Sequence, residues 1–204
     1  MKTKFKHILV ILCLSMISCE GNLEPELFDQ ITPENFLTNE DDVKTAVTGV
    51  YAEFRGISEW GRYKTSWGSV MTLQEVPTDL WAANWFYKAH TDFMWKATDY
   101  FVCEIFEFFV PAITKATALI ARIQDAPVSD DIKNRYIAEL RVVRALWMYD
   151  LFDLYGPVPA ITDPEKILNP TQDFTVTRPS REEYITFVET ELKEVINAKI
   201  LPVA

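Results

Sequence analysis

With 204 residues, 49% of them hydrophobic and 13% aromatic, the chain has enough apolar surface for one good core, which excludes an intrinsically disordered protein. Its formal charge is −10, and the first 18 residues hold Lys2, Lys4 and Lys6 but no carboxylate, so the remainder carries 17 basic and 30 acidic side chains, a charge of −13. Such a surface repels phosphate backbones and argues against a nucleic-acid partner.

The three lysines precede a ten-residue apolar run, Ile8 to Ile17, too short to span a bilayer and typical of a signal-peptide core. Ser18 and Cys19 follow, a small residue directly before a cysteine, as in a lipoprotein cleavage box with Met16 in place of the usual Leu. Cleavage before Cys19 and its acylation would anchor the chain, since each buried CH₂ contributes about 0.8 kcal/mol. Glu20 to Pro33 is acidic, carries Pro25 and Pro33, and reads as an extended tether. The expected organisation is a signal peptide over 1–18, a lipidated tether over 19–33 and a helical domain over 34–204. Cys13 leaves with the signal, so no disulfide framework is possible, and Cys103 beside Val102 is expected to be a buried small hydrophobe.

Asn39 is a candidate N-cap for the first mature helix, with Glu40, Asp41 and Asp42 in a first turn where the helix dipole favours anions. Val43, Ala46, Val47, Val50, Tyr51 and Phe54 form its apolar face. From Gly56 to Tyr100 the periodicity fades, and five of the six tryptophans fall there; Pro77, Asp79 and Asn84 suggest irregular loops between short helices. Helical spacing returns with Ile105, Phe106, Phe109, Ile113, Ala116, Ile120 and Ile123, and Pro111 inside it predicts a kink, or a split at Val110.

After the Pro-containing turn 125–131, with Ser129 as a candidate N-cap, the central helix begins. Ile132, Tyr136, Leu140, Val143, Trp147, Leu151 and Leu154 step by three or four, a stripe no strand produces. Gly156 then suits a left-handed cap, and Pro157 and Pro159 forbid a return to helix. Thr162 to Pro179 is a Pro- and Thr-rich loop. Ser180-Arg181-Glu182-Glu183 is a capping box opening a last helix whose apolar face is Tyr184, Phe187, Val188, Leu192, Val195 and Ile196. The predicted class is all-α.

Catalytic constellations are scarce. Asp150 and Asp153 are three apart on the central helix, but its other face is core, so they read as helix-surface acids or a salt-bridge partner rather than the carboxylate pair of a glycoside hydrolase. His7 and His90 are the two histidines, too few for a metal cluster, and neither a phosphate loop nor a serine elbow is present. A carbohydrate site combines an aromatic platform with hydrogen-bonding side chains, and Asp79, Trp81, Asn84, Trp85 and Tyr87 supply that chemistry within nine residues. Each aromatic taken singly reads first as a core residue, and the cluster carries more weight than its members. Trp147 reads as core.

Ala138-Glu139-Leu140-Arg141-Val142-Val143-Arg144-Ala145, followed by Tyr149-Asp150-Leu151, Tyr155-Gly156 and Val158-Pro159, resembles the signature helix and exit turn of the SusD/RagB family of surface nutrient-binding lipoproteins. Pro33-Glu34-Asn35-Phe36, Asn39-Glu40-Asp41-Asp42 and Gly49-Val50-Tyr51 resemble the opening of such proteins, and Glu75 to Asp79 their acidic loop, with Leu80 where a Glu is usual. His90 to Trp95 loosely resembles a further family element. Lys115-Ala116-Thr117 replaces the family's Ala-Asn pair. The resemblance implies a tetratricopeptide-like helical-repeat fold, although no clean 34-residue repeat is visible. It further implies a non-enzymatic, cofactor-free lipoprotein on the outer membrane. Such a protein captures an oligosaccharide or polysaccharide, in some members a peptide, and delivers it to a SusC-like TonB-dependent transporter.

The match covers only the family's N-terminal portion, and the chain reads as truncated before the C-terminal part. That leaves an alternative, a helical scaffold that docks on the transporter without binding glycan, and predicts an exposed apolar patch on the last helix.

Overall fold

The computed structural model describes residues 36–54, 70–81, 87–168 and 175–201. Among them every regular element is a helix: α1 (Glu40–Ala52), α2 (Val70–Glu75), α3 (Lys88–Thr91), α4 (Tyr100–Asp125), α5 (Asp130–Tyr155), α6 (Pro164–Leu168) and α7 (Arg181–Ala198). The expected signal peptide, the expected lipidation at Cys19 and the expected tether lie outside the described residues.

Helices α4 and α5 form the central pair. Contacts run in descending order, Tyr155 with Val102, Trp147 with Phe109, Arg144 with Thr117 and Lys133 with Gln124, so the two are antiparallel. The four-residue connection 126–129 permits nothing else. Helix α7 is antiparallel to α5 in turn, with Tyr184 beside Phe152 and Met148, and Glu191 beside Arg144. Helix α1 packs on both α4 and α5, and α6 on α4. The seam between α4 and α5 is the core: Ile105, Phe109, Ile113, Leu140, Trp147 and Leu151 are fully buried. Each such side chain contributes roughly 1.5–3 kcal/mol before conformational entropy is counted.

The caps follow the sequence with two exceptions. Asn39 Oδ1 accepts from the Asp42 amide at 3.1 Å, and Ser180 and Glu183 form both bonds of the capping box, 3.2 and 2.8 Å. Ser129 occupies the N-cap position of α5 without a side-chain bond, contributing only its carbonyl to the Lys133 amide. Gly156 has φ +73° as a C-cap glycine should, but ψ −160° places it outside the left-handed helical well, in a region essentially reserved for glycine.

Three expectations are corrected. Helix α4 is not split at Val110: it runs unbroken through Pro111. Pro111 is exposed, and the carbonyl that its missing N–H leaves unpaired belongs to Glu107, also exposed, where solvent replaces the lost bond. Tyr51, assigned to the buried face of α1, is 40% exposed and donates its hydroxyl to Glu139 Oε2 at 3.4 Å. Ile196, assigned to the buried face of α7, is 70% exposed; with Ile185 and Ile200 it makes apolar surface on this last helix and its exit.

An element no periodicity announces holds α4, α5 and α7 together. Arg144 is buried, donates through Nε to Glu191 Oε2 at 3.1 Å, makes a second bond to the same oxygen through Nη2, and reaches Thr117 Oγ1 through Nη1 at 2.9 Å. Thr117 in turn donates to the Ile113 and Ile161 carbonyls, at 2.9 and 3.0 Å. Arg141 completes the cluster from the half-buried rim, donating to the other Glu191 oxygen at 2.8 Å.

Two stability predictions follow from these contacts. Arg144→Met leaves Glu191 Oε2 without its partners and Arg141 alone to neutralise the carboxylate, and should cost about 3 kcal/mol, the low end for a broken buried pair, whereas pairing it with Glu191→Met should recover most of that loss; urea unfolding followed at 222 nm measures both. Gly156→Ala should cost about 1–3 kcal/mol through backbone strain alone, because an added Cβ would meet no atom within 4 Å.

Candidate functional site

The aromatic-rich stretch is organised from α2. The helix ends in a hydrogen-bonded turn, with the Thr78 amide and hydroxyl both donating to the Glu75 carbonyl, at 3.0 and 2.6 Å, and the Leu80 amide donating to Thr78 Oγ1 at 3.3 Å. Val76, fully buried, packs with Tyr87 and Phe101, and half-buried Leu73 joins them. Gln74 Nε2 donates to Asp153 Oδ2 at 2.8 Å and ties α2 to the central helix. Held at both ends, the turn presents Asp79 and Leu80 to solvent and leaves Trp81 41% exposed.

Of the five residues expected to bind ligand, the structure brings Asp79 and Trp81 together on this one exposed turn. Tyr87 stands elsewhere: it is 8% exposed, its ring 5.4 Å from that of Phe101, and burial pushes its phenol above the ordinary tyrosine range. Asn84 and Trp85 lie outside the described residues.

The segment that follows, which only loosely resembles a family element and has no ligand role assigned from sequence, is also open. Phe93 is 67% exposed, Met94 71% and Tyr100 68%, and Trp95 matches Trp81. The rings of Phe93 and Trp95 are 5.5 Å apart. No periodic signal marks these side chains, because the backbone there is turn rather than helix: Phe93 has φ +56°, and Lys96 donates its amide to Asp99 Oδ2 at 2.8 Å. His90, on α3, is 5% exposed, lies nearly parallel to Trp95 with centroids 6.0 Å apart, and meets Phe101 edge-on at 5.8 Å. Burial pushes its imidazole below the ordinary histidine range, and the charge of Asp99 opposes this only in part.

Two cavities accompany these elements. One, of about 320 Å³, is bordered by Leu73, Pro77, His90, Trp95, Leu154 and Tyr155. The other, of about 260 Å³, lies between the exit loop of α5 and the start of α7, lined by Ile161, Asp163, Lys166, Thr177, Tyr184 and Phe187 among others.

The two carboxylates weighed as acid and base do not share a surface. Asp153 is exposed and engaged by Gln74, while Asp150 is 3% exposed, which corrects its reading as a helix-surface acid: it lies in line with Glu139 and Val143, on the side of α5 that receives α1 rather than solvent. Cys103 is half-buried rather than fully buried, its thiol donating to the Ala97 carbonyl at 3.0 Å. Among the described residues no three of His, Cys, Asp and Glu are grouped to hold a metal ion, and no helix is long and apolar enough to cross a membrane.

No family model matches the chain. A SusD-like protein of Formosa agariphila is 25% identical across 94% of this chain, a match covering 37% of that relative. Among solved structures, a SusD-like protein from Bacteroides fragilis superposes with a TM-score of 0.59 at 22% identity, over 80% of this chain and 30% of that one. A laminarin-binding SusD-like protein superposes at 0.57 and 22% identity, over 78% and 34%. The chain thus spans about a third of the length of the proteins it matches, and it shares with them an all-α, tetratricopeptide-like fold.

The buried imidazole generates a pH prediction. With its folded pKa below the unfolded value of 6.5, the unfolded chain binds more protons as pH falls below 6.5, so His90 withdraws stability on acidification. The thermal midpoint of His90→Phe should fall less between pH 7 and pH 5 than that of the parent, by about 2–4 °C for each kcal/mol of charge burial avoided; scanning calorimetry at the two pH values checks it.

Proposed function

Because the chain belongs to the SusD/RagB family, we propose that it is a non-enzymatic, lipid-anchored protein of the outer-membrane surface that captures glycan chains and passes them to a SusC-like TonB-dependent transporter. The observation that carries this is the turn after α2, where Trp81 is 41% exposed and Asp79, two residues before it, is exposed as well. A pyranose ring presents a flat C–H face to such an indole and hydroxyls to such a carboxylate. Asn84 and Trp85 complete the proposed ligand-binding set, and Tyr87, buried against Phe101, drops out of it. The laminarin-binding neighbour supports a glucan as the first ligand to try.

In this reading residues 1–18 direct export, Cys19 carries the acyl chains, 19–33 form the tether and 34–204 the helical domain. The burial of Asp150 away from Asp153 supports binding without hydrolysis. The helices on the α4, α5 and α7 side would face the transporter.

Isothermal titration of the folded chain with laminarihexaose, and with plant, host and bacterial oligosaccharides, tests the proposal. Saturable binding without release of shorter sugars is expected, and Trp81→Ala should weaken it at least tenfold, about 1.4 kcal/mol. A folded chain that binds no glycan but does bind the transporter would replace this reading with the docking scaffold.

A further inference from the structure

The 320 Å³ cavity has a chemistry unlike that of the Trp81 turn. Leu73, Pro77, Ala97, Val102 and Leu154 make most of its lining apolar, and Trp95 and Tyr155 add aromatic walls. The Tyr155 hydroxyl is already committed, donating to the Val102 carbonyl at 2.7 Å. His90 is the exception. It borders the cavity, is 95% withdrawn from solvent, and neither Nδ1 nor Nε2 has a hydrogen-bond partner. Buried polar groups are nearly always satisfied, so an imidazole with both nitrogens idle is a place where a guest would be favoured.

Size and shape narrow the guest. An apolar cavity of roughly 150 Å³ holds a benzene ring, so this one has room for a substituted ring and little more. A sugar is a poor fit, because among the described lining residues its many hydroxyls would meet one available polar side chain. A ring with one hydroxyl matches the lining. The wall beside His90 can yield: Trp95 is 41% exposed and sits on residues 94–96, which are neither helix nor strand.

We propose that this cavity is a binding site for a small phenol-class ring, its hydroxyl hydrogen-bonded to His90 and its face against Trp95 and Leu154. Neutral imidazole has one donor and one acceptor nitrogen, and a phenol can serve either. The site goes beyond glycan capture and does not depend on it, so loss of glycan binding at Trp81 leaves it standing, and the reverse.

The test uses the whole chain, labelled with ¹³C at histidine Cε1, which gives two signals, from His7 and His90. Addition of p-cresol should move the His90 signal saturably and leave His7 in place, and p-cresol should bind at least fivefold more tightly than toluene. In His90→Phe, which keeps an aromatic ring in the same packing, p-cresol should fall to the affinity of toluene while toluene stays within twofold. A His90 signal that does not move up to the solubility limit of p-cresol, or equal binding of p-cresol and toluene by the parent chain, overturns the proposal.

Discussion

The contact on which the rest of the structure depends is the buried pair between Arg144 and Glu191. A guanidinium and a carboxylate withdrawn from water are stable only when their remaining hydrogen bonds are met, and here Thr117, Arg141 and the Thr162 carbonyl meet them. Because the partners come from α4, α5, α7 and the exit loop of α5, satisfying one charge fixes the position of all four. Apolar packing between helices tolerates some sliding; a buried set of directional, charge-assisted hydrogen bonds does not. Tyr184, bonded to the Met148 carbonyl and stacked on Phe152, holds the same interface one helical stretch away.

This rigid half contrasts with the segment between residues 70 and 100. Its helices α2 and α3 are six and four residues long, too short to be stable by themselves, and they persist because Val76, Tyr87 and Phe101 bury one another. What the small core leaves over is aromatic surface: Trp81 on one turn, Phe93, Met94 and Trp95 on another. Loops positioned by a rigid scaffold are where binding residues concentrate. Turns of this kind can vary without disturbing the helical frame beneath them.

The helical frame was legible because periodicity reports it directly. The stripe from Tyr136 to Leu151, the stripe from Ile105 to Ile123, the cap at Asn39 and the capping box at Ser180 are all local rules, satisfied within a few residues of sequence. The misreadings share one origin. Tyr51 and Ile196 have apolar character on an apolar face but lie at its edge, and Asp150 has polar character on a face that a third helix covers. Which side of a helix receives a neighbour depends on elements distant in sequence. Pro111 was read by its local penalty, which applies fully only when the carbonyl it abandons is buried.

The sequence by itself determined the class, the main helices, most of their ends and the resemblance to a family, since spacing of apolar residues, capping chemistry and motif order are properties of short windows. Tertiary structure alone decided that Arg144 and Glu191, 47 residues apart, share a core, that Trp81 is open while Tyr87 is closed, and that His90 borders a cavity. Those outcomes turn on which surfaces meet in three dimensions. A side chain's burial is set by what packs over it, and no window of sequence contains that neighbour.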